Sequence, residues 1–514
     1  MDTYYVTRIE EPDFGCEGRP EGQEIKDKVY LEEEITKEET IIFMEDKLLY
    51  ERDINEGDRW RWKITESGGS IMKDLTKGKI STLILGFAIP VFLGNLLQLT
   101  YSLADTRIVG SFLGERSLAA VGATTTISNL IVGFLLGLAN GFAIITAQKF
   151  GAGDKKRVRR SFAIALVLGV IVSAILILIG TVFINPILGF LNVPGKLFIE
   201  AKQYILIIII GLWVTMFYDI LMAVMRAIGD TLTPLLILAI SVGLNIVLDL
   251  LFVAVWKTGT WGAAAATVLA QFIALIICCF YMIHKYELLR LNKNDFKDLE
   301  SKMIKEMLAT GMSMGFMSSL VNIGSLTLQT AINKLGQEII VAHTAARKIT
   351  EIYMIMFSVF GQTMATFCGQ NMGAGKVDRI KKGMKLAIIY TCVWSTFAMI
   401  ASYTIGPQLV HMVTGSYKDV VIVNATNYLK FNTIFYYVPA VISIVRNVMQ
   451  GIGDQITPLV SSGLEMVGKV VIAFTLVPLM GYAGVIVAEP IVWFIMVIPL
   501  LVQIIRTPKL KANK

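Results

Sequence analysis

The stretch "SFAIALVLGVIVSAILILIGTVFI", residues 161 to 184, carries no charged side chain along its whole length. An α-helix rises 1.5 Å per residue, so a run of this size crosses the roughly 30 Å hydrocarbon core of a bilayer. The segment reads as a membrane span. The rest of the chain repeats the pattern: 54% of its 514 residues are hydrophobic and its mean hydropathy is +0.63, whereas soluble domains hold about 45 to 50% apolar residues. About twelve such runs can be placed. Their cores are residues 80–104, 118–146, 161–184, 202–226, 233–254, 262–283, 304–332, 340–367, 382–404, 425–449, 457–478 and 483–505. The chain therefore reads as an all-α membrane protein.

Outside the spans, charge is distributed unevenly. Residues 1–71 are acidic, contain no run long enough to span, and lack the basic start and apolar middle of a signal peptide. They read as a disordered cytoplasmic extension. A translation start at Met72 is the alternative, to be decided by mass spectrometry of the native N-terminus. The net charge of +7 thus hides a strongly basic remainder. Its Lys and Arg gather in alternate loops, "GAGDKKRVRR", "HKYELLRLNKNDFKDLESKMIKEM", "GAGKVDRIKK" and "RTPKLKANK", whereas "SFLGERS", "INPILGFLNVPG" and "PLMGYAG" hold few. The positive-inside rule then places both termini in the cytoplasm and the spans in the plasma (inner) membrane. This distribution implies lipid contact and no nucleic acid. Cys16, Cys278, Cys279, Cys368 and Cys392 form no disulfide or metal framework, and His284, His343 and His411 are too scattered for a metal site.

The chain is duplicated. "AQKFGAGDKKRVRR" (147–160) matches "GQNMGAGKVDRIKK" (369–382), and "MRAIGDTLTPLL" (225–236) matches "MQGIGDQITPLV" (449–460), at separations of roughly 222 and 224 residues. Two pseudo-symmetric six-helix bundles follow: an N-lobe over 72–284, a cytoplasmic linker over 285–302, a C-lobe over 303–506 and a basic tail over 507–514. An even number of spans per half gives both repeats the same orientation, so an axis along the membrane normal relates them. Two such bundles around a cleft can rock against one another, which favours a transporter. A membrane-embedded enzyme would need a nucleophile with its base, or metal ligands, facing a cavity. No such set is legible, and no cofactor is implied. "NMGAGKVD" lacks the spacing of a phosphate loop, and no strand precedes it.

Acids inside the spans mark the candidate site, because an ionised Asp at the bilayer centre costs about 2.5 to 3.5 kcal/mol. "GLNIVLDLLF" (243–252) carries Asn245 and Asp249 four residues apart, hence on one helix face. Asp105 lies near the outer end of the first span and Thr267 near the outer start of the sixth, so all four can share one depth. Tyr101, one turn before Asp105, can border the same pocket. Two carboxylates in a dry niche can hold a proton, and amide and hydroxyl oxygens beside them suit Na⁺. The competing structural reading has Asp105 capping a helix or pairing with Arg107.

The paired GD-x-x-TP loops (229–234 and 453–458), the two GAG loops and the opening "DLTKGKISTLILGFAIPVFLGNLLQLTYSLADTRIVG" resemble the multidrug and toxic compound extrusion (MATE) transporters. The likeness runs from about Met72 to the C-terminus. It implies twelve helices in two lobes, and export of cationic or amphipathic drugs driven by inward H⁺ or Na⁺. Within the family the chain is more similar to the DinF-like branch, whose coupling site implies ion-binding roles for Asp105, Asn245, Asp249 and Thr267. NorM-type sites use an acid in the seventh helix, and "GFMSSLVNIGSLTLQTAI" has none.

The C-lobe has charges of its own. Glu465 and Lys469 occupy the places of Asn245 and Asp249, Glu489 faces Thr267 in the repeat, and the eighth span holds Arg347, Lys348 and Glu351. The pairs Arg347 with Glu351 and Glu465 with Lys469 have ion-pair spacing on a helix, so mutual neutralisation is expected, with substrate contact as the alternative. Gln98, Tyr218, Met222, Met354, Phe357 and Tyr437 are candidates for a cleft wall suited to flat organic cations. The expectation is a monomeric, cation-coupled antiporter working by alternating access. The second reading is a lipid-linked oligosaccharide flippase of related build, which would need an arginine-rich cavity around Arg347 and Arg446.

Overall fold

The computed structural model describes residues 3–10, 26–33, 39–45, 55–57, 59–61, 73–190, 193–297, 299–415 and 417–511. The chain divides into two compact units, Met1–Ile71 and Met72–Lys514. Among its described residues the first unit contains four strands, β1 (Thr3–Glu10), β2 (Lys26–Glu33), β3 (Glu39–Glu45) and β4 (Arg59–Arg61). They form an antiparallel sheet in the order β3-β2-β1-β4, so the expectation of a disordered extension fails for these residues. The physical reason is that Val6, Val29 and, beside Val29, Asp27 are buried while Arg8 and Lys28 face out. Averaged over the segment, those charges mask the strands. Cys16 lies outside the described residues.

The second unit is helical. An uninterrupted helix of 72 residues, Ile80–Gly151, would be about 108 Å long, more than three bilayer cores. It breaks at Gly114, whose φ of 83° is open to glycine at little cost, giving α1 (80–113) and α2 (115–151). There follow α3 (Lys155–Phe190), α4 (Gly195–Ile210 and Leu212–Ala227), α5 (Leu232–Asp249, continuing as a π-helix over Leu250–Val255) and α6 (Thr260–Lys285). The second half repeats the order as α7 (Ser301–Ile332), α8 (Gln337–Gly373), α9 (Val377–Thr404), α10 (Asp419–Ile434 and Tyr437–Gly451), α11 (Ile456–Phe474) and α12 (Tyr482–Arg506). Corresponding helices α4 and α10 are both bent, by 46° and 57°. Among the described residues eight helices are long and apolar enough to span, and ten when each bent pair counts once. The break at Gly114 adds one, and the less apolar α7 completes twelve. Leu178, Val182 and Phe183 of α3 lie exposed, as expected of a helix bathed in hydrocarbon.

Both GD-x-x-TP loops do the same local work. Gly229 and Gly453 take positive φ at the ends of α4 and α10, where a left-handed residue ends a helix. Asp230 then accepts hydrogen bonds from the backbone N–H groups of Leu232 and Thr233 at 3.0 Å each. Asp454 does so from Ile456 and Thr457 at 3.2 and 3.1 Å. Each aspartate satisfies the orphan donors that open α5 and α11.

Each lobe has its own apolar core, but the first helix of each begins in the other lobe. Ile84, Phe87 and Ala88 of α1 belong to the C-lobe core, and Met303 and Met307 of α7 to the N-lobe core. Where the lobes meet, α2 and α7 approach backbone to backbone. A Cβ on Gly137 would lie 2.7 Å from Gly315, and one on Gly141 would lie 2.5 Å from Gly311. Small residues four apart on both helices permit that approach.

Candidate functional site

The four residues α1, α5 and α6 were expected to bring together do converge. The Tyr101 hydroxyl is 3.2 Å from Thr267 Oγ1, and Asn245 Nδ2 donates to the same oxygen at 3.4 Å. Asp249 is fully buried one turn beyond Asn245, where α5 passes into its π-helical turn; such turns recur at functional positions. Asp105 and Asp249 lie near enough to act on each other electrostatically, and Tyr101 and Tyr204 each lie within range of both. Both Asp249 oxygens, Asp105 Oδ1 and Asn245 Oδ1 are buried with no hydrogen-bond partner among the described residues. Asp105 makes no ion pair with Arg107 among those residues, so of its two structural alternatives the pairing does not occur. The site is a cluster of hard, unpartnered oxygens, able to take a proton or a small cation.

Tyr101, Asn245 and Thr267 also form one wall of an N-lobe cavity of ≈ 140 Å³. Gln98, Tyr218 and Met222, expected in the wall of one cleft with Met354 and Phe357, line this N-lobe cavity instead, and so do Asp219 and Arg226 of α4, which the sequence reading missed. The signal was available in "FYDILMAVMRA", an acid and a base inside an apolar run. Arg226 Nη2 donates to Asn140 Oδ1 of α2 at 3.3 Å. Arg226 also lines a small pocket of ≈ 40 Å³, which shares Asn140, Met314, Gln362 and Asn447 with a cleft of ≈ 490 Å³ lined by residues of both lobes. Met354 and Phe357 line that cleft, together with Asn140, Arg446, Asn447 and Trp493. Tyr437 lines none of these three cavities. It sits just after the bend in α10, and its hydroxyl lies 2.9 Å from Thr396 Oγ1 on α9; its neighbour Tyr436 is the one buried in the core against Phe357 and Trp493.

The C-lobe charges form a connected buried network. Lys469 Nζ lies 3.0 Å from Glu465 and 3.4 Å from Glu489, Arg347 lies 3.3 Å from Glu489, and Arg446 lies 3.7 Å from Glu465. The expected Glu465 with Lys469 pair forms. Arg347 instead turns to Glu489 across to α12, while Glu351 is exposed and pairs with Lys348 at 3.0 Å. Arg347 is itself half-buried, and a guanidinium gains more from the desolvated carboxylate of Glu489 than from one held in the exposed rim.

The duplicated GAG loops interlock at the basic-loop face. Gln148 Nε2 donates to the carbonyl of Gly451 at 2.9 Å, and its repeat counterpart Gln370 donates to that of Ala227 at 2.8 Å. The first glycines reciprocate: a Cβ on Gly151 would lie 1.9 Å from Gln370 O, and one on Gly373 would lie 1.8 Å from Gln148 O. Residues 73–79, which lead into α1, are strapped to the C-lobe. Leu75 N–H donates to Gln370 Oε1 at 2.9 Å, Lys376 Nζ to Thr76 O at 2.9 Å and Arg379 Nη1 to Gly78 O at 3.0 Å. In the strap, burial pushes the Asp74 carboxyl up, but hydrogen bonds from Thr76 and the charge of Lys77 outweigh this and hold it below its ordinary value.

The family model MatE matches residues 90–251 and 313–475, one stretch in each lobe. The probable multidrug resistance protein YpnP of Bacillus subtilis is 27% identical over 391 residues, covering 75% of this chain and 86% of the relative. An FAD transporter of Shewanella oneidensis is 24% identical over 339 residues, covering 64% and 74%. Among solved structures, the outward-facing conformation of a multidrug resistance MATE family transporter of the MOP superfamily aligns with a TM-score of 0.79 at 22% identity. It covers 86% of this chain and 98% of its own.

Proposed function

We propose, from the premise that this chain belongs to the MATE family of multidrug transporters, that it is an H⁺- or Na⁺-coupled antiporter exporting amphipathic compounds by alternating access. Members of the family are integral membrane transporters of small molecules, not enzymes. For this chain the finer reading places it in the plasma (inner) membrane as a monomer with both termini in the cytoplasm. The coupling site follows the DinF-like arrangement at Asp105, Asn245, Asp249 and Thr267.

One observation carries the reading. Asp249 is 0% exposed and neither of its oxygens has a partner among the described residues, although an acid in a span costs about 2.5 to 3.5 kcal/mol even before such isolation. A proton or Na⁺ relieves that cost, and the orphaned oxygens of Asp105 and Asn245 offer further ligands for Na⁺. Occupation of the niche by the ion favours one lobe arrangement and substrate favours the other, which is the differential affinity that antiport requires. The interlocked GAG loops support an arrangement closed at the cytoplasmic face.

The relatives named above span multidrug resistance and FAD transport, so the substrate class proposed is amphipathic aromatic compounds, flat organic cations among them. The flippase reading is weaker. Its pyrophosphate site would need several free arginines, whereas Arg347 is engaged by Glu489 and the central cleft presents Arg446 alone among arginines. Ethidium efflux from cells tests the role of Asp249. Asp249→Asn is expected to insert at normal level, bind substrate and fail to pump; wild-type efflux from that variant removes Asp249 from the mechanism.

A further inference from the structure

Within the C-lobe network Arg446 is the most loosely compensated of the largely buried cations. Its one acidic partner, Glu465, is 3.7 Å away and is already engaged by Lys469 at 3.0 Å. Its Nη2 reaches Ser461 Oγ at 3.5 Å, the outer limit of a hydrogen bond, and its Nε is buried with no partner among the described residues. A largely buried guanidinium so loosely paired gains from an anion that joins it.

The space beside Arg446 fits such an anion. The ≈ 490 Å³ cleft it lines contains no Asp or Glu. Ser358, Ser443 and Asn447 contribute hydroxyl and amide groups, and Phe357 and Trp493 contribute aromatic surface. The N-lobe cavity has the opposite character, with Asp219 in its wall.

Resting on the export reading, we propose that Arg446 makes the central cleft an anion subsite, which receives the carboxylate or phosphate of an amphipathic aromatic substrate. The guanidinium presents a planar fork that matches either group with two parallel hydrogen bonds. The aromatic body of the substrate packs against Phe357 and Trp493.

Three fluorescent probes that share one ring system and differ only in charge test this: 1-pyrenebutyrate, 1-pyrenebutanol and 1-pyrenebutylamine. Binding to the full-length protein in detergent, without ion gradients, is expected to be about tenfold or more tighter for the carboxylate than for the alcohol, the scale of one charge-assisted hydrogen bond, with the amine weakest. Arg446→Gln is expected to bring carboxylate and alcohol within about twofold of one another. It leaves Glu465 its 3.0 Å contact with Lys469 and removes only a 3.7 Å pair, so the fold should persist, as its melting temperature will show. Arg446→Lys should retain a reduced preference for the carboxylate. Equal binding of carboxylate and alcohol, tightest binding of the amine, no carboxylate binding up to its solubility, or an undiminished preference in Arg446→Gln would each overturn the proposal. Asp249→Asn should keep the carboxylate preference, so failure of the coupling reading and failure of this one are separable.

Discussion

Asp249 and Glu465 are both buried acids on corresponding helices, and their surroundings assign them opposite behaviour. Glu465 lies between Lys469 and Arg446, whereas Asp249 has no partner among the described residues. Removing Lys469 strips Glu465 and Glu489 of a shared cation in a dry setting. Lys469→Met is therefore expected to destabilise the protein by about 3 to 5 kcal/mol, read as a fall in melting temperature in detergent; a double variant with Glu465→Gln should recover part of it. An unchanged melting temperature for Lys469→Met would show that water reaches the network. Asp249→Asn should instead leave the melting temperature unchanged or raised, because it removes an unpartnered carboxylate. At this scale the sequence was partly legible. An acid in an apolar run is visible without coordinates, and that signal located Asp249 and also marked Asp219, which went unread. What it cannot convey is which partner a long side chain selects: Arg347 had a carboxylate one turn away, yet reaches Glu489 on another helix.

Among the elements, the duplicated motifs turn out to be two devices. The GD-x-x-TP loops end one helix and cap the next within a lobe, and the GAG loops join the lobes. Two substitutions address the second device. Gly151→Leu and Gly373→Leu each place a side chain where backbone of the opposite loop now lies, within 2 Å of a carbonyl oxygen. Because backbone cannot yield cheaply, the loops should separate and the population should shift away from closure at this face. Spin labels on the exposed positions Lys155 and Lys382 should report a longer distance by electron paramagnetic resonance than in the unsubstituted protein. An identical distance distribution would mean that the interlock does not hold the lobes. The repeats themselves could be read from sequence because matched strings need no geometry. The exchange of α1 and α7 between lobes could not, because apolar periodicity says which face is buried and not against what. The misplacement of Tyr437 has the same origin, since the bend in α10 redirects side chains that a straight helix would stack.

For the molecule as a whole, the two-lobed helical build followed from hydrophobic run length and duplication, both coarse enough to survive errors at individual boundaries. The N-terminal sheet escaped because strands only eight residues long and interspersed with charge lower the average hydropathy without a compensating apolar run. The energetics of export ask little of the coupling ion. One charge crossing a 100 mV potential releases about 2.3 kcal/mol, enough to sustain roughly a fifty-fold gradient of a neutral solute. One ion held by Asp105 and Asp249 per cycle is sufficient. The most direct test is flux in proteoliposomes under an imposed proton gradient and, separately, an imposed sodium gradient. The account predicts that one gradient drives substrate movement in the wild-type protein and that neither does in Asp249→Asn or Asp105→Asn, although both variants still bind substrate. Gradient-driven flux that persists in both variants would contradict it.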